Sequence, residues 1–274
     1  MDVLATVLLA VPLCVYFVLG GADLGVGMLV PYLGRRDETE RQRVSAALWP
    51  LAVAHEAWLV VAAAMLGTCF PDLATDLFTG RLLLLLVPLL LGAVVRDAAL
   101  WRRSAGGGPS CDVLLVAGSW AAAGCWGWLL GSLLTDTPDR PAPLGVGLLT
   151  AAAVSVLFCA HGLGFAVLRL TGVPLLRARS LTGGHPAPGR GGHSFVLTAV
   201  VMAALPVAAG GGLPVLDSAA AGPLARAAPL VLLAAVVPLV LAEARGWRAA
   251  HGAASAEPGA RRAADASPPR TGPP

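Results

Sequence analysis

The stretch "VLGGADLGVGML", Val18–Leu29, places one carboxylate, Asp23, among the four glycines Gly20, Gly21, Gly25 and Gly27. It lies inside an apolar run that extends from Val3 to Leu33. A run of that length exceeds the roughly 20 apolar residues a membrane-spanning helix requires. A carboxylate within such a helix costs about 2.5–3.5 kcal/mol on insertion scales, so its neighbours must offset that cost. The run predicts a membrane fold, and Asp23 predicts a buried partner.

Composition agrees. The chain has 274 residues, of which 57% are hydrophobic and 13% charged, and its mean hydropathy is +0.76. The solvent for so much apolar surface is a bilayer. The formal charge of +3 is spread between hydrophobic runs rather than gathered on one face, and nucleic acid is therefore excluded as a partner. All 19 basic residues are arginine. Five cysteines occur (Cys14, Cys69, Cys111, Cys125 and Cys159) with no Cys-x-x-Cys pair, so no disulfide framework and no metal-ligand spacing is present. In apolar runs cysteine acts as a small hydrophobe.

Seven apolar runs follow one another: Val3–Leu33, Ala46–Thr68, Leu82–Leu100, Val113–Leu134, Leu144–Leu168, Phe195–Leu213 and Pro229–Ala242. The first arginine is Arg35, so the first run reads as a retained span rather than a cleaved signal. Sixteen arginines fall at the end of or after runs one, three, five and seven, among them Arg41, Arg43, Arg96, Arg102, Arg103, Arg169 and Arg177. Three fall in the intervening loops: Arg81, Arg140 and Arg226. Basic residues stay on the cytoplasmic side. The expectation is an all-α polytopic membrane bundle of about seven helices, N-terminus outside and C-terminus cytoplasmic. The helical bundle spans residues 1–246, and residues 247–274 read as a disordered cytoplasmic tail rich in Ala, Pro, Arg and Gly. The segment Arg177–Ser194 reads as a Gly/Pro-rich loop.

Six ionisable side chains interrupt the spans: Asp23, His55, Glu56, Arg96, Asp97 and His161. Asp23 and His55 each stand twelve residues from the arginine band, at Arg35 and Arg43 respectively. At the helical rise this is about 18 Å. His161 lies about 12 Å from Arg169, and Arg96 and Asp97 about 8–9 Å from Arg102. All six therefore share the central-to-cytoplasmic half. They read as a polar cluster facing inward. Two roles remain open for it: proton handling, or a static ion-pair set that locks the helices in register. Gly21 and Gly25 have the small-xxx-small spacing that lets a second backbone approach, and Gly27 extends the stripe. The stretch lacks the G-x-G-x-x-G spacing of a dinucleotide fingerprint, and "HEAWL" has Leu59 where a zinc protease needs its second histidine. His55, His161, Met28 and Met65 are haem-ligand candidates by residue type alone. Hydrogen-bonded packing or proton relay is the commoner role for membrane histidines.

"GGADLGVGMLVPYLGRRDETERQRV" resembles the start of subunit II of the cytochrome bd quinol oxidases. Asp23, Gly25 and Gly27 match the family's first-helix end, and "GRRDETERQR" matches the loop after it. "LWPLAVAHEAWLV" is similar to the second helix through Pro50, Glu56 and Trp58. "VVRDAALWRRS" is similar to the end of the third through Arg96 and Arg103, and "CAHGLGFAVLRLTG" to the fifth through His161 and Gly162. The resemblance implies a non-haem subunit, in the bacterial cytoplasmic membrane, that pairs as a heterodimer with a larger subunit I. Subunit I would hold haem b and haem d and oxidise quinol, so this chain would bind no metal and would not itself be catalytic. Quinone and membrane lipid are further ligand candidates. Asp23, His55, Glu56, Asp97 and His161 would form a buried proton path with Arg96 as counter-charge, and Gly21, Gly25, Gly27, Trp58 and Gly162 would pack helices.

The chain departs from the family at three acidic positions, which fall at Gly20, Val53 and Trp101. Those losses keep two other readings open: a structural subunit without a proton role, and a transporter, whose midplane polar site would be similar.

Overall fold

In the computed structural model the described residues are 2–34, 37–135, 140–182, 190–211 and 213, with isolated positions between 231 and 245. The chain divides into two units, Met1–Leu232 and Leu233–Pro274. The account below concerns the first. The seventh apolar run, Pro229–Ala242, and the tail from residue 247 lie outside the described residues, apart from those isolated positions.

Eight helices make up the described fold: α1 Asp2–Leu33, α2 Glu38–Cys69, α3 Pro71–Thr79, α4 Leu83–Ser104, α5 Pro109–Leu134, α6 Leu144–Arg169, α7 Gly172–Leu181 and α8 Arg190–Gly210. Six of them (α1, α2, α4, α5, α6 and α8) are long and apolar enough to cross a membrane. In lipid every backbone group must be satisfied within the segment, which is why continuous helices form here. The architecture is a polytopic helical bundle.

Local chemistry sets the helix ends, and in two places it moves them beyond the apolar runs. α2 starts at Glu38, eight residues before its apolar run, because Asp37 caps it by accepting from the Thr39 N–H at 3.2 Å. Glu38 and Glu40 then complement the positive end of the helix dipole. α4 continues past Leu100 to Ser104, with Arg102 and Arg103 in its last turn. Gly106 at φ +89° ends it. The Gly107 N–H reaches Arg102 O at 2.8 Å and the Gly106 N–H reaches Arg103 O at 3.1 Å, which is a Schellman closure.

The loop read at Arg177–Ser194 is corrected at both ends. Arg177–Leu181 belongs to α7, and Arg190–Ser194 opens α8. Neither piece carries a sustained apolar period, so tertiary anchoring decides them. α7 is held by Arg177, which donates to Leu33 O at 2.8 Å and to Glu40 at 2.6 Å. Residues 183–189 lie outside the described part.

α1 is the central element, packing against α2, α5, α6 and α8, while α4 packs on α5 and α2. The closest approach is between α1 and α6. A Cβ on Gly25 would overlap the Phe158 carbonyl, and one on Gly162 would stand 2.5 Å from Gly25 C and Val26 N. With lipid as solvent there is little hydrophobic drive between helices, so this backbone contact through paired glycines supplies the packing energy. Trp58 is buried, and α2 packs along α1. All five cysteines are free.

Candidate functional site

Asp23 stands at the start of the C-terminal third of α1 and is 0% exposed. Its partner comes from α4. Arg96, 1% exposed, donates through Nη2 to Asp23 Oδ2 and through Nη1 to Asp97 Oδ1. α2 adds His55, whose Nδ1 is 3.0 Å from Leu51 O and 3.3 Å from Asp23 Oδ2. A carbonyl can only accept, so Nδ1 carries the ring hydrogen and the neutral ring keeps Nε2 as its acceptor. Asp97 is partly exposed, 29% at the side chain. Its carboxyl is a hydrogen-bond partner of the exposed Glu56 of α2.

Five of the six ionisable groups read from sequence are thus joined: His55, Asp23, Arg96, Asp97 and Glu56 form one contact chain across three helices. It runs from a fully buried carboxylate to an exposed one. His55 is buried; Glu56 stands at the outer surface of the chain rather than inside it.

His161 does not join them, which corrects the sixth position. It is 0% exposed, but it lies on the other side of α1. Its Nε2 donates to Val18 O at 2.9 Å, its Nδ1 is 2.7 Å from Thr198 Oγ1 of α8, and its ring stacks on Phe195 at 4.6 Å. Both ring nitrogens are occupied, so it pins α6 to α1 and α8. The neighbouring glycines show the division. A Cβ on Gly20 would meet His55 Cδ2 at 3.3 Å, whereas one on Gly21 would meet Met202 of α8 and, at 3.6 Å, His161. Gly27 faces Ser119 of α5, and Gly25 and Gly162 form the α1–α6 contact described above.

Two features escaped the sequence reading. Tyr16 of α1 accepts from Trp126 Nε1 of α5 at 2.9 Å, and its ring centroid is 5.5 Å from that of His55. Tyr16 precedes Asp23 by seven residues, two helical turns on one face, and that spacing was a usable signal. The second is an ion network at the joined ends of α2, α4 and α5. Arg103, 3% exposed, reaches Glu38 at 2.6 Å and Asp112 at 2.9 Å, and donates to Gly107 O at 2.5 Å. Arg41 reaches Glu38 at 3.1 Å and Asp112 at 3.2 Å. Arg96 and Arg103 are seven apart and share a face of α4, one serving the inner cluster and the other this clamp.

An open groove of about 310 Å³ lies between α2 and α4, lined by Trp49, Val53, Glu56, Asp97, Leu100 and Trp101, among others. Val53 and Trp101 are in this lining, and Gly20 abuts His55. Among the described residues no group of three or more His, Cys, Asp or Glu side chains is placed to hold a metal ion. The two buried histidines already spend three of their four ring nitrogens on protein groups.

Six apolar spans with an ion cluster buried among them define a multi-pass membrane protein. The family model described as cytochrome bd terminal oxidase subunit II matches residues 1–257, and the chain belongs to that family. The chain is accordingly a component of a bd-type oxidase, an oxidoreductase of the respiratory chain. No curated protein matches the sequence.

Proposed function

We propose that this chain is the haem-free second subunit of a bd-type quinol oxidase, supporting the subunit that holds haem b and haem d, and that its buried cluster relays protons toward that subunit. The observation that carries this reading is the unbroken contact chain from His55 and Asp23 through Arg96 and Asp97 to Glu56. Among the described residues Asp23 Oδ1 has no hydrogen-bond partner, and a proton taken up there leaves the Arg96 pair on Oδ2 intact. Arg96 keeps the buried carboxylate charged between transfers, and His55 offers Nε2 as a second proton acceptor beside it. The topology that goes with this function has the arginine-rich ends of the helices in the cytoplasm of a bacterium and the polar bundle covering residues 1–246.

The rival role, a static lock, also has an observation in its favour: Arg96 is buried and paired with two carboxylates. The test is Asp23→Asn in the assembled oxidase, with quinol-driven oxygen consumption as the readout. Asparagine keeps the shape and the hydrogen bonds from Arg96 and His55 but holds no exchangeable acid proton. A relay loses on the order of 10²-fold in turnover, the low end of what one positioned proton-transfer group contributes, while the complex assembles normally. Assembly with unchanged turnover assigns the cluster to the lock.

A further inference from the structure

The short helix α7 lies where the spans end. Only Leu170 and Thr171 separate it from α6, and Gly172 at φ +66° makes the turn. Its ten residues cover about 15 Å, half the thickness of a bilayer core. Its bonds to other helices fall on helix ends. Arg177 reaches Leu33 O and Glu40, and the Ser180 hydroxyl is 3.4 Å from that of Tyr32. Those partners belong to the last turn of α1 and the first turn of α2, both membrane-crossing helices. α7 therefore sits at the level of the membrane surface, on the arginine-rich side of the bundle. Pro174 and Ala178 are buried against the bundle. The opposite face is open: Leu176 is 62% exposed and Val173 42%.

That open face is also cationic. Gly172, Leu176 and Arg179 stand at i, i+4 and i+7 and share it. Arg43 of α2 reaches its beginning: a Cβ on Gly172 would stand 3.3 Å from Arg43 Nη1. Two exposed arginines thus bracket the exposed Leu176, about 10 Å apart along the helix. Arginine stays charged throughout the physiological range. α7 holds no acidic residue, and Glu40 beside it is spent on Arg177. Among the described residues neither Arg43 nor Arg179 has a carboxylate within ion-pair distance. A membrane leaflet supplies what this face lacks, phosphates at the level of the arginines and acyl chains just beneath them. A guanidinium binds phosphate through two parallel hydrogen bonds, and a helix lying in the surface plane holds anionic lipid through such a mixed apolar and basic face.

We propose that α7 is an interfacial helix whose exposed face, from Arg43 beside Gly172 to Arg179, binds anionic phospholipid, with phosphate on the two arginines and acyl chains against Leu176. The headgroup must carry net negative charge: a zwitterionic lipid offers the same phosphate but brings its own cation to the arginines. The site stands apart from the Asp23 cluster and holds whether or not that cluster moves protons.

The experiment uses the assembled oxidase in nanodiscs of equal phosphatidylglycerol and phosphatidylcholine. The photo-crosslinking residue benzoylphenylalanine replaces Leu176, and in a control replaces Leu149, an exposed position near the other end of α6. Adducts are identified by mass spectrometry after illumination. At Leu176 the expected adducts are to lipid, with phosphatidylglycerol in excess by about fivefold or more, the preference that one arginine near an anionic surface supplies. At Leu149 the two lipids react equally. Arg43→Gln combined with Arg179→Gln abolishes the excess at Leu176, and Arg43→Lys combined with Arg179→Lys retains it, because the charge is kept. Equal labelling at Leu176, an excess that survives the glutamine pair, an excess lost in the lysine pair as well, or adducts to protein in place of lipid each overturn the proposal. A relay that fails its turnover test leaves these ratios unchanged, so the two readings fail separately.

Discussion

Removing the cation at the centre of the cluster gives the sharpest test of how the bundle holds itself together. Arg96→Met keeps a long, unbranched side chain in a site 1% exposed but withdraws both hydrogen bonds, leaving Asp23, 0% exposed, without its counter-charge. Breaking a buried ion pair by removing one partner costs about 3–5 kcal/mol. For a domain of this size each kcal/mol moves the midpoint by about 2–4 °C. Multiplying the two ranges gives a fall of about 6–20 °C in Tm.

The physical claim lies in the second half of the experiment. If the loss arises from an orphaned charge and not from lost packing, neutralising Asp23 as well must restore most of it. Arg96→Met with Asp23→Asn leaves an amide whose oxygen still accepts from the Nδ1–H of His55. Asp97 keeps its contact with Glu56 and is partly exposed. Replacement of a whole buried pair by neutral groups is often neutral in stability. The double variant is expected to recover at least half of the shift while remaining inactive as a relay. The assay is thermal unfolding of the purified complex in mild detergent, followed by tryptophan fluorescence. A single variant with an unchanged midpoint, or a double variant no better than the single, refutes the argument that charge burial governs this site.

Gly162→Ala tests the α1–α6 contact: its Cβ falls 2.5 Å from the backbone of Gly25 and Val26, which cannot rotate away, so overpacking of about 1–3 kcal/mol or more is expected and is read as a lower yield of folded protein and a lower Tm. Arg103→Lys tests the clamp at the ends of α2, α4 and α5. One ammonium cannot replace a fork that reaches Glu38, Asp112 and Gly107 O together, so a loss of about 1.5–3 kcal/mol is expected. This variant should also show faster proteolysis near residues 104–109; a clamp that is merely a surface pair would change neither.

The spans were legible in the residues themselves. Apolar run length set six of the helices, because a bilayer of fixed thickness demands a fixed number of residues. Counting residues from the arginine bands gave the positions of Asp23, His55, Arg96, Asp97 and His161 along their helices, because a helix rises by a constant amount per residue. The same counting could say nothing about α3 and α7, which are too short to carry a period and are held by contacts with other helices, as Arg177 holds α7 to Leu33 O and Glu40.

Direction around each helix was decided only by the tertiary structure. Gly20 and Gly21 are adjacent and nearly level, yet one faces His55 and the other His161, since consecutive residues point about 100° apart. Depth follows from position along one chain; facing depends on which helix packs where, and that is settled by backbone contacts such as Gly25 with Gly162. This is why Asp23 and Arg96, 73 residues apart, form the central pair, while His161, at a comparable depth, is bonded instead to Val18 O and Thr198.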